Sequence, residues 1–349
     1  MKKNEDGKWK MEDGFRHLQS SILHPLPVLI AGPTAVGKSG IALRVAELFG
    51  GEIISADSMQ VYRGLDLGTA KPSSADRARV PHHLIDICDL TGSFDAAQFA
   101  RLAHRAVAEI RSRGRVPILC GGTGLYFKAF LEGLGEAPPA DAKLRAELEA
   151  APLENLLAEL RERDPAAYET IDKKNPRRVI RAMEVIRLTG KPFSEQQSRW
   201  GETWRALLRQ CPNSPKNQGS DEAFPSKNFY FVFTRSSDDL RRRIDARVDA
   251  MFARGLVDET RELLKHGLAE NKTAMQAIGY RQVVEHLRGE RSLPETIELV
   301  KIRTRQFAKR QLTWFRAQPG RQWIELKPDD PPEKWLPEIS RAVRKQNRI

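Results

Sequence analysis

The octapeptide GPTAVGKS, at residues 32–39, decides the fold of this chain. It follows an apolar run, LPVLIA at residues 26–31, that is typical of a buried strand. It precedes residues 40–49, whose apolar side chains recur at helical spacing until two glycines end the pattern. The motif GxxxxGK[S/T] between a strand and a helix is a phosphate-binding loop, because its backbone N–H groups curl around phosphate oxygens at a helix N-terminus. Residues 32–39 therefore predict a site for a di- or polyphosphate.

Two side chains of this phosphate loop have expected roles in holding the ligand. Lys38 would place a positive charge on the terminal phosphates, and Ser39 would be a ligand of Mg²⁺, the cofactor that we expect. The candidate binding residues are Gly32, Pro33, Thr34, Ala35, Val36, Gly37, Lys38 and Ser39. Because the loop contacts only the phosphates, it does not identify the rest of the ligand.

Strand and helix patterns alternate on the C-terminal side of the loop. Short apolar runs at residues 52–56 and 116–120 predict two strands, with a helix at residues 94–113 between them. Residues 229–234, FYFVFT, predict a later strand that returns to the same sheet. This alternation predicts an α/β fold, a P-loop-type parallel sheet core flanked by helices and carrying a small helical insertion domain.

The predicted domain boundaries follow changes in composition along the chain. Residues 26–133 and 229–349 form the predicted core, which ends in basic helices, and residues 134–204 form the helical insertion. Residues 1–25 are a polar N-terminal extension. Residues 205–228 are predicted to be a flexible loop, because they are rich in Pro, Asn, Ser and Gly.

Charge and cysteine content limit the classes of function. The chain has 349 residues and a net charge of +12, and residues 301–349 alone hold 13 cations and 5 anions. Such clustering favours a polyanionic partner such as nucleic acid. No apolar stretch is long enough to cross a membrane, and the three scattered cysteines do not form a metal or disulfide pattern. We therefore expect a cytoplasmic protein without a membrane partner.

Two polar turns follow predicted strands and would share an edge of the sheet with the phosphate loop. Asp57 directly follows the first of these strands, where a carboxylate could act as a base, contact Mg²⁺ or cap the following turn. The second turn, GGTGLY at residues 121–126, would present Thr123 as a donor to phosphate or to a base. Both turns are expected to line one crevice.

Six motifs in order give the chain a more specific resemblance. They are GPTAVGKS, ISADSMQVYRGLDLGTAKP, GGTGLYFKAFLEG, NPRRVIRAMEV, AIGYRQ and TRQFAKRQLTWFR. Together they resemble the tRNA dimethylallyltransferases, also called tRNA isopentenyltransferases, over about residues 27–315. The resemblance implies transfer of a dimethylallyl group from dimethylallyl diphosphate to N6 of the adenosine directly 3′ of the anticodon, in tRNAs that read codons beginning with U. An adenylate isopentenyltransferase and a P-loop small-molecule kinase are the alternatives.

The resemblance also implies roles for residues. Catalysis would depend on Asp57 as the base, on Arg243 at the diphosphate and on Ser39 at the metal. The tRNA anticodon stem-loop would contact Asp57, Ser58, Met59, Gln60, Thr123, Arg177, Arg178, Arg181, Gly279, Tyr280, Arg281, Gln282, Lys309, Arg310, Gln311 and Trp314. In residues 301–316 six cations and no anion surround aromatic side chains, a pattern that suits phosphate contacts and base stacking but also fits a solvated helix with a packed face. We expect the protein to be a monomer.

Overall fold

The structure is a computed structural model, and it describes residues 2–3, 9–10, 26–134, 138–196, 230–318 and 320–347. Most of the polar extension at residues 1–25 and the whole predicted loop at residues 205–228 therefore lie outside the described residues. Of the extension, two short strands are described, β1 (Lys2–Lys3) and β2 (Trp9–Lys10), and they pair antiparallel.

A six-stranded sheet forms the centre of the core. Its strands are β3 (Val28–Ala31), β4 (Glu52–Ala56), β5 (His82–His83), β6 (Pro117–Gly121), β7 (Tyr230–Thr234) and β8 (Gln322–Glu325). Their spatial order is β5-β4-β6-β3-β7-β8, and every pairing is parallel. The predicted α/β fold with a parallel sheet is confirmed.

Helices make up most of the remaining described structure. They are α1 (Lys38–Phe49), α2 (Ser74–Arg79), α3 (Ala96–Ser112), α4 (Gly124–Glu132), α5 (Ala142–Ala150), α6 (Leu153–Arg163), α7 (Pro165–Thr170), α8 (Pro176–Thr189), α9 (Ser237–Ala253), α10 (Leu256–Lys265), α11 (Tyr280–Leu287), α12 (Leu293–Arg316) and α13 (Leu336–Asn347). Short 3₁₀ turns occupy Ser194–Gln196, Ala274–Gln276 and Pro332–Trp335. In the part of the chain that is described, no helix is both long and apolar enough to span a bilayer.

The sheet register decides which loops meet. Gly121, the last residue of β6, pairs with Ala31 at the end of β3 and with Ala56 at the end of β4. All residues of β3, β4 and β6 are buried, which is the pattern of central strands covered by helices on both faces. The loops after these three strands therefore leave the sheet at one edge, where α/β proteins bind their ligands.

Two strands of the sheet were not predicted from the sequence. Strand β5 has only two residues, both partly exposed, so it produces no apolar run. In β8 only Ile324 is buried, and the strand pairs with β7 at the sheet's outer edge. Edge strands this short bury too little surface to leave an alternating pattern that the sequence could reveal.

The chain divides into two compact units, residues 1–130 with 209–349 and residues 131–208. The smaller unit is helical and packs around its own cluster, which includes Leu156, Leu160 and Val179. Glu184 in this unit is completely buried and forms ion pairs with Arg145 at 2.7 Å and Arg181 at 2.6 Å. Paired guanidinium groups are what make a buried carboxylate tolerable.

Candidate active site

A cavity of about 390 Å³ opens at the carboxyl edge of the sheet. Its wall comes entirely from the larger unit and combines the phosphate loop, both polar turns and two helices. The lining residues include Thr34, Lys38, Ser39, Asp57, Ser58, Met59, Gln60, Thr123, Arg247, Met251, Phe307, Arg310 and Gln311. The structure thus brings together three residues of the phosphate loop, Asp57 and part of the basic segment.

Within the phosphate loop, Gly37 has a φ of 106°, which permits the turn into α1 at Lys38. The Lys38 Nζ donates to the carbonyl of Pro33 at 3.2 Å, within the loop itself. Burial lowers the pKa of the Lys38 ammonium group, and the positive charge of Arg247 lowers it further. An anion bound in the cavity would raise this pKa by stabilising the charged ammonium, so Lys38 is suited to hold a diphosphate.

Asp57 both shapes its own turn and faces the cavity. Its Oδ1 accepts hydrogen bonds from the backbone N–H groups of Met59 at 2.9 Å and Gln60 at 3.3 Å. The capping role that the sequence left open is therefore real. Because the turn uses Oδ1, the other carboxylate oxygen has no hydrogen bond to the described residues and can serve a ligand in the cavity.

Gln60 and Thr123 line the cavity while they also support the turns. The Gln60 Oε1 accepts from the Ser55 hydroxyl at 2.8 Å, and its Nε2 donates to the carbonyl of Thr69 at 3.2 Å. The Thr123 Oγ1 accepts from the backbone N–H of Ser58 at 3.1 Å. These bonds fix the Asp57 turn from two sides. The predicted contacts of Gln60 and Thr123 with tRNA stay predictions.

Two arginines of α9, Arg243 and Arg247, occupy different environments, and the sequence did not reveal this difference. Arg243, the predicted diphosphate ligand, donates from Nε to the carbonyl of Ala35 at 3.0 Å and is not among the residues that line the cavity. Arg247, four residues later, lies in the cavity wall, and burial lowers the pKa of its guanidinium group while Asp57 opposes that shift. Arg247 is therefore a second candidate for the diphosphate, which its position in the sequence does not single out.

The AIGYRQ motif, at residues 277–282, places its side chains in different environments. Tyr280 is completely buried, and its hydroxyl donates to Glu259 and accepts from the backbone N–H of Gly68. Gln282 is buried and accepts from the N–H of Gly279 at 2.8 Å. Arg281 is exposed and pairs with a glutamate on the same helix. In this structure Tyr280 and Gln282 support loops, and the predicted tRNA contacts of the motif stay predictions.

Part of the basic segment, residues 301–316 of α12, lines the cavity. Phe307 is 37% exposed and lines the cavity together with Arg310, whose guanidinium lies 5.9 Å from the ring centre. Lys309 is exposed, whereas Trp314 is half-buried and packs against Gly124. Two of the six cations, Lys301 and Arg305, form ion pairs with Asp249 and Asp245 of α9.

Three of the predicted tRNA contacts lie in the smaller unit. Arg177 and Arg178 are exposed in the first turn of α8. Arg181 pairs with the buried Glu184 and donates to the carbonyl of Pro138 at 2.6 Å. Its guanidinium is thus already engaged inside that unit.

The cavity offers few protein ligands for a metal ion. Among the described residues no group of three or more His, Cys, Asp or Glu side chains could hold a metal. The hydroxyl of Ser39 and the carboxylate of Asp57 do line the same cavity. This donor set fits Mg²⁺, which is commonly bound by one or two side-chain oxygens, substrate phosphates and water.

Comparison with known proteins gives consistent matches over most of the chain. The family model described as IPP transferase matches residues 60–318. The tRNA dimethylallyltransferase of Geobacter sulfurreducens is 47% identical over 305 residues, which are 85% of this chain and 91% of that relative. The tRNA dimethylallyltransferase of Thermomicrobium roseum is 41% identical over 325 residues, which are 92% of each chain.

Solved structures with the same fold agree with these relatives. The full-length tRNA isopentenylpyrophosphate transferase of Bacillus halodurans is 37% identical, with a TM-score of 0.63, and the match covers 92% of this chain and 98% of that one. A eukaryotic dimethylallyltransferase, captured in crystallographic snapshots acting on tRNA, is 26% identical with a TM-score of 0.67. That match covers 91% of this chain and 77% of the other.

Proposed function

The chain belongs to the IPP transferase family, and from this premise we propose that it transfers a dimethylallyl group from dimethylallyl diphosphate to tRNA. The acceptor in this proposal is N6 of the adenosine directly 3′ of the anticodon, in tRNAs that read codons beginning with U. One observation carries it: a single cavity joins a phosphate-binding loop, a carboxylate with one oxygen that bonds to none of the described residues, and a basic helix with an exposed aromatic ring.

The phosphate loop would stabilise the leaving group. When the allylic C–O bond breaks, its electron pair and a developing negative charge go to the diphosphate. Lys38 lines the cavity and would neutralise that charge together with backbone N–H groups of the loop, with Arg247 as a further cation. Mg²⁺ bound through Ser39 and the diphosphate would supply additional positive charge at the leaving group. Arg243 would act from outside the cavity, where it holds the carbonyl of Ala35.

Asp57 would accept the proton of the adenine amine. The exocyclic N6 is a weak nucleophile because its lone pair is delocalised into the ring. The carboxylate oxygen that the turn leaves unused can take one N6 proton as nitrogen bonds to the allylic carbon. The target base must leave the stack of the anticodon loop to reach this position.

Charge and aromatic exposure on α12 favour tRNA over the two alternatives. A free adenylate would have no use for the exposed Lys309 and Arg310, which lie where a longer polyanion could bind. A small-molecule kinase would need ATP in the phosphate loop, and the relatives in the comparisons are named for dimethylallyl transfer. We further propose that the protein is a cytoplasmic monomer.

Labelling separates the three activities. Purified protein is incubated with Mg²⁺, radiolabelled dimethylallyl diphosphate and either unmodified tRNA or AMP. We expect label in tRNA, on N6 of the adenosine next to the anticodon, and none in AMP. Label in AMP alone would establish the adenylate enzyme instead, and phosphate transfer from labelled ATP to a small molecule would establish a kinase.

Removing two exposed cations of α12, Lys309 and the cavity-lining Arg310, should weaken tRNA binding. We expect Lys309→Ala with Arg310→Ala to reduce the salt dependence of binding, by roughly 0.7 to 0.9 in logarithmic slope for each phosphate group that the protein no longer neutralises. Filter binding at several salt concentrations measures this slope. Lys265→Ala, which changes an exposed lysine on α10, is the matched control. An unchanged slope in the double variant would remove α12 from the tRNA interface.

A further inference from the structure

We propose that Gln311 is a positioning residue that sets the distance between the diphosphate loop and Asp57. This inference rests on the proposed function and deepens it. It assigns to Gln311 a different part from the direct tRNA contact that the sequence suggested.

Gln311 bridges the two glycine-rich loops with both ends of its amide. Its Oε1 accepts from the backbone N–H of Thr34 at 2.9 Å, and its Nε2 donates to the carbonyl of Gly122 at 2.8 Å. The side chain is only 6% exposed. A Cβ on Gly122 would lie 2.3 Å from the Nε2, so the glycine leaves the space that the amide occupies. These two bonds use one lone pair and one N–H of the amide, which also lines the cavity.

A continuous path of contacts leads from this bridge to the proposed base. Gly122 is followed in the chain by Thr123, whose Oγ1 accepts from the N–H of Ser58 at 3.1 Å. Ser58 follows Asp57, and Asp57 caps the same turn through its Oδ1. Gln311 thus connects the loop that would hold the leaving group to the turn that carries the base.

The reaction makes this connection chemically important. Attack of N6 on the allylic carbon requires the reacting atoms to approach within about 3 to 3.5 Å, and a misplacement of about 1 Å can cost about 100-fold in rate. If the two loops lose their register, water can attack in place of N6. Its oxygen bonds to the allylic carbon while the C–O bond to diphosphate breaks, and its proton leaves to solvent, giving the allylic alcohol and diphosphate.

Two variants break the bridge in different ways. Gln311→Met keeps the length but loses both hydrogen bonds, whereas Gln311→Glu keeps the acceptor for Thr34 and loses the donor to Gly122. The measured quantity is the ratio of labelled tRNA to labelled allylic alcohol at saturating substrates. We expect both variants to lower that ratio at least 10-fold through kcat, with tRNA affinity and its salt slope unchanged. A role confined to stability would lower the active fraction without altering the ratio.

Gly122→Ala tests the same bond from its other end. The added methyl group would displace the Gln311 amide and would also lie 3.2 Å from the carbonyl oxygen of Gly32 in the phosphate loop. Because both contacts disturb the register of the two loops, this variant should lower the ratio in the same direction even if a change at residue 311 impairs folding. Provided that the wild-type protein transfers the dimethylallyl group to tRNA, two results would overturn the proposal. One is an unchanged ratio of labelled tRNA to allylic alcohol in folded variants, and the other is weaker tRNA binding with a normal ratio. Absence of transfer by the wild-type protein would instead refute the proposed function.

Discussion

Asp57→Asn is expected to lower the rate of dimethylallyl transfer by about 10²- to 10⁴-fold, the usual effect of losing a positioned general base. The asparagine can keep the acceptor that caps the N–H groups of Met59 and Gln60, so the turn should survive. What disappears is the capacity of the second oxygen to take a proton from N6. Single-turnover transfer to saturating tRNA, with donor binding measured separately by equilibrium dialysis, checks this expectation.

Asp57→Ala provides the matched comparison, because it removes the cap as well as the base. The transfer rate of Asp57→Ala should fall at least as far as that of Asp57→Asn. The difference between the two rates measures how much the capped turn contributes to catalysis. Donor binding should change little in the asparagine variant, since the phosphate loop holds the diphosphate. If Asp57→Ala greatly weakened donor binding but turned over normally at saturating donor, Asp57 would be a ligand of the donor or its metal and not the base.

The outline of the core could be predicted because its signals are local. The octapeptide at residues 32–39 carries its own strand and helix neighbours, and the apolar runs at residues 52–56 and 116–120 became β4 and β6 with shifts of one residue at most. Parallel pairing follows from the alternation of strands and helices. Family membership, predicted from six ordered motifs, is confirmed by the family match over residues 60–318.

Which side chains line the cavity depends on contacts between segments that are distant in the sequence, and these could not be predicted. Arg243 and Arg247 are both arginines on one helix, and only the crossing of α9 over the phosphate loop decides which of them lines the cavity. Gln311 stands among cations in the sequence, yet it is buried because α12 lies against the two glycine-rich turns. Spacing along a helix defines a face but not its neighbour.

Lys38→Met is expected to lower kcat/KM for dimethylallyl diphosphate by roughly 10²- to 10³-fold, as for loss of one preorganised donor at a developing negative charge. Methionine keeps the approximate length of the side chain while removing its charge. Both KM and kcat should worsen, because Lys38 would contact the diphosphate before reaction and more strongly as the C–O bond breaks. Lys265→Ala, on the exposed face of α10, controls for loss of a lysine.

The pH dependence of donor binding gives the Lys38 prediction a second, independent measurement. Burial lowers the pKa of Lys38, so the free protein loses this charge at a lower pH than an ordinary lysine would allow. Only the charged form attracts diphosphate; affinity should therefore fall as pH rises through the lowered pKa, and binding should take up protons in that range. Calorimetry of donor binding in buffers of different ionisation enthalpy measures this uptake. Lys38→Met should bind weakly without the uptake, whereas a variant that kept wild-type KM and proton uptake would place the diphosphate away from the phosphate loop.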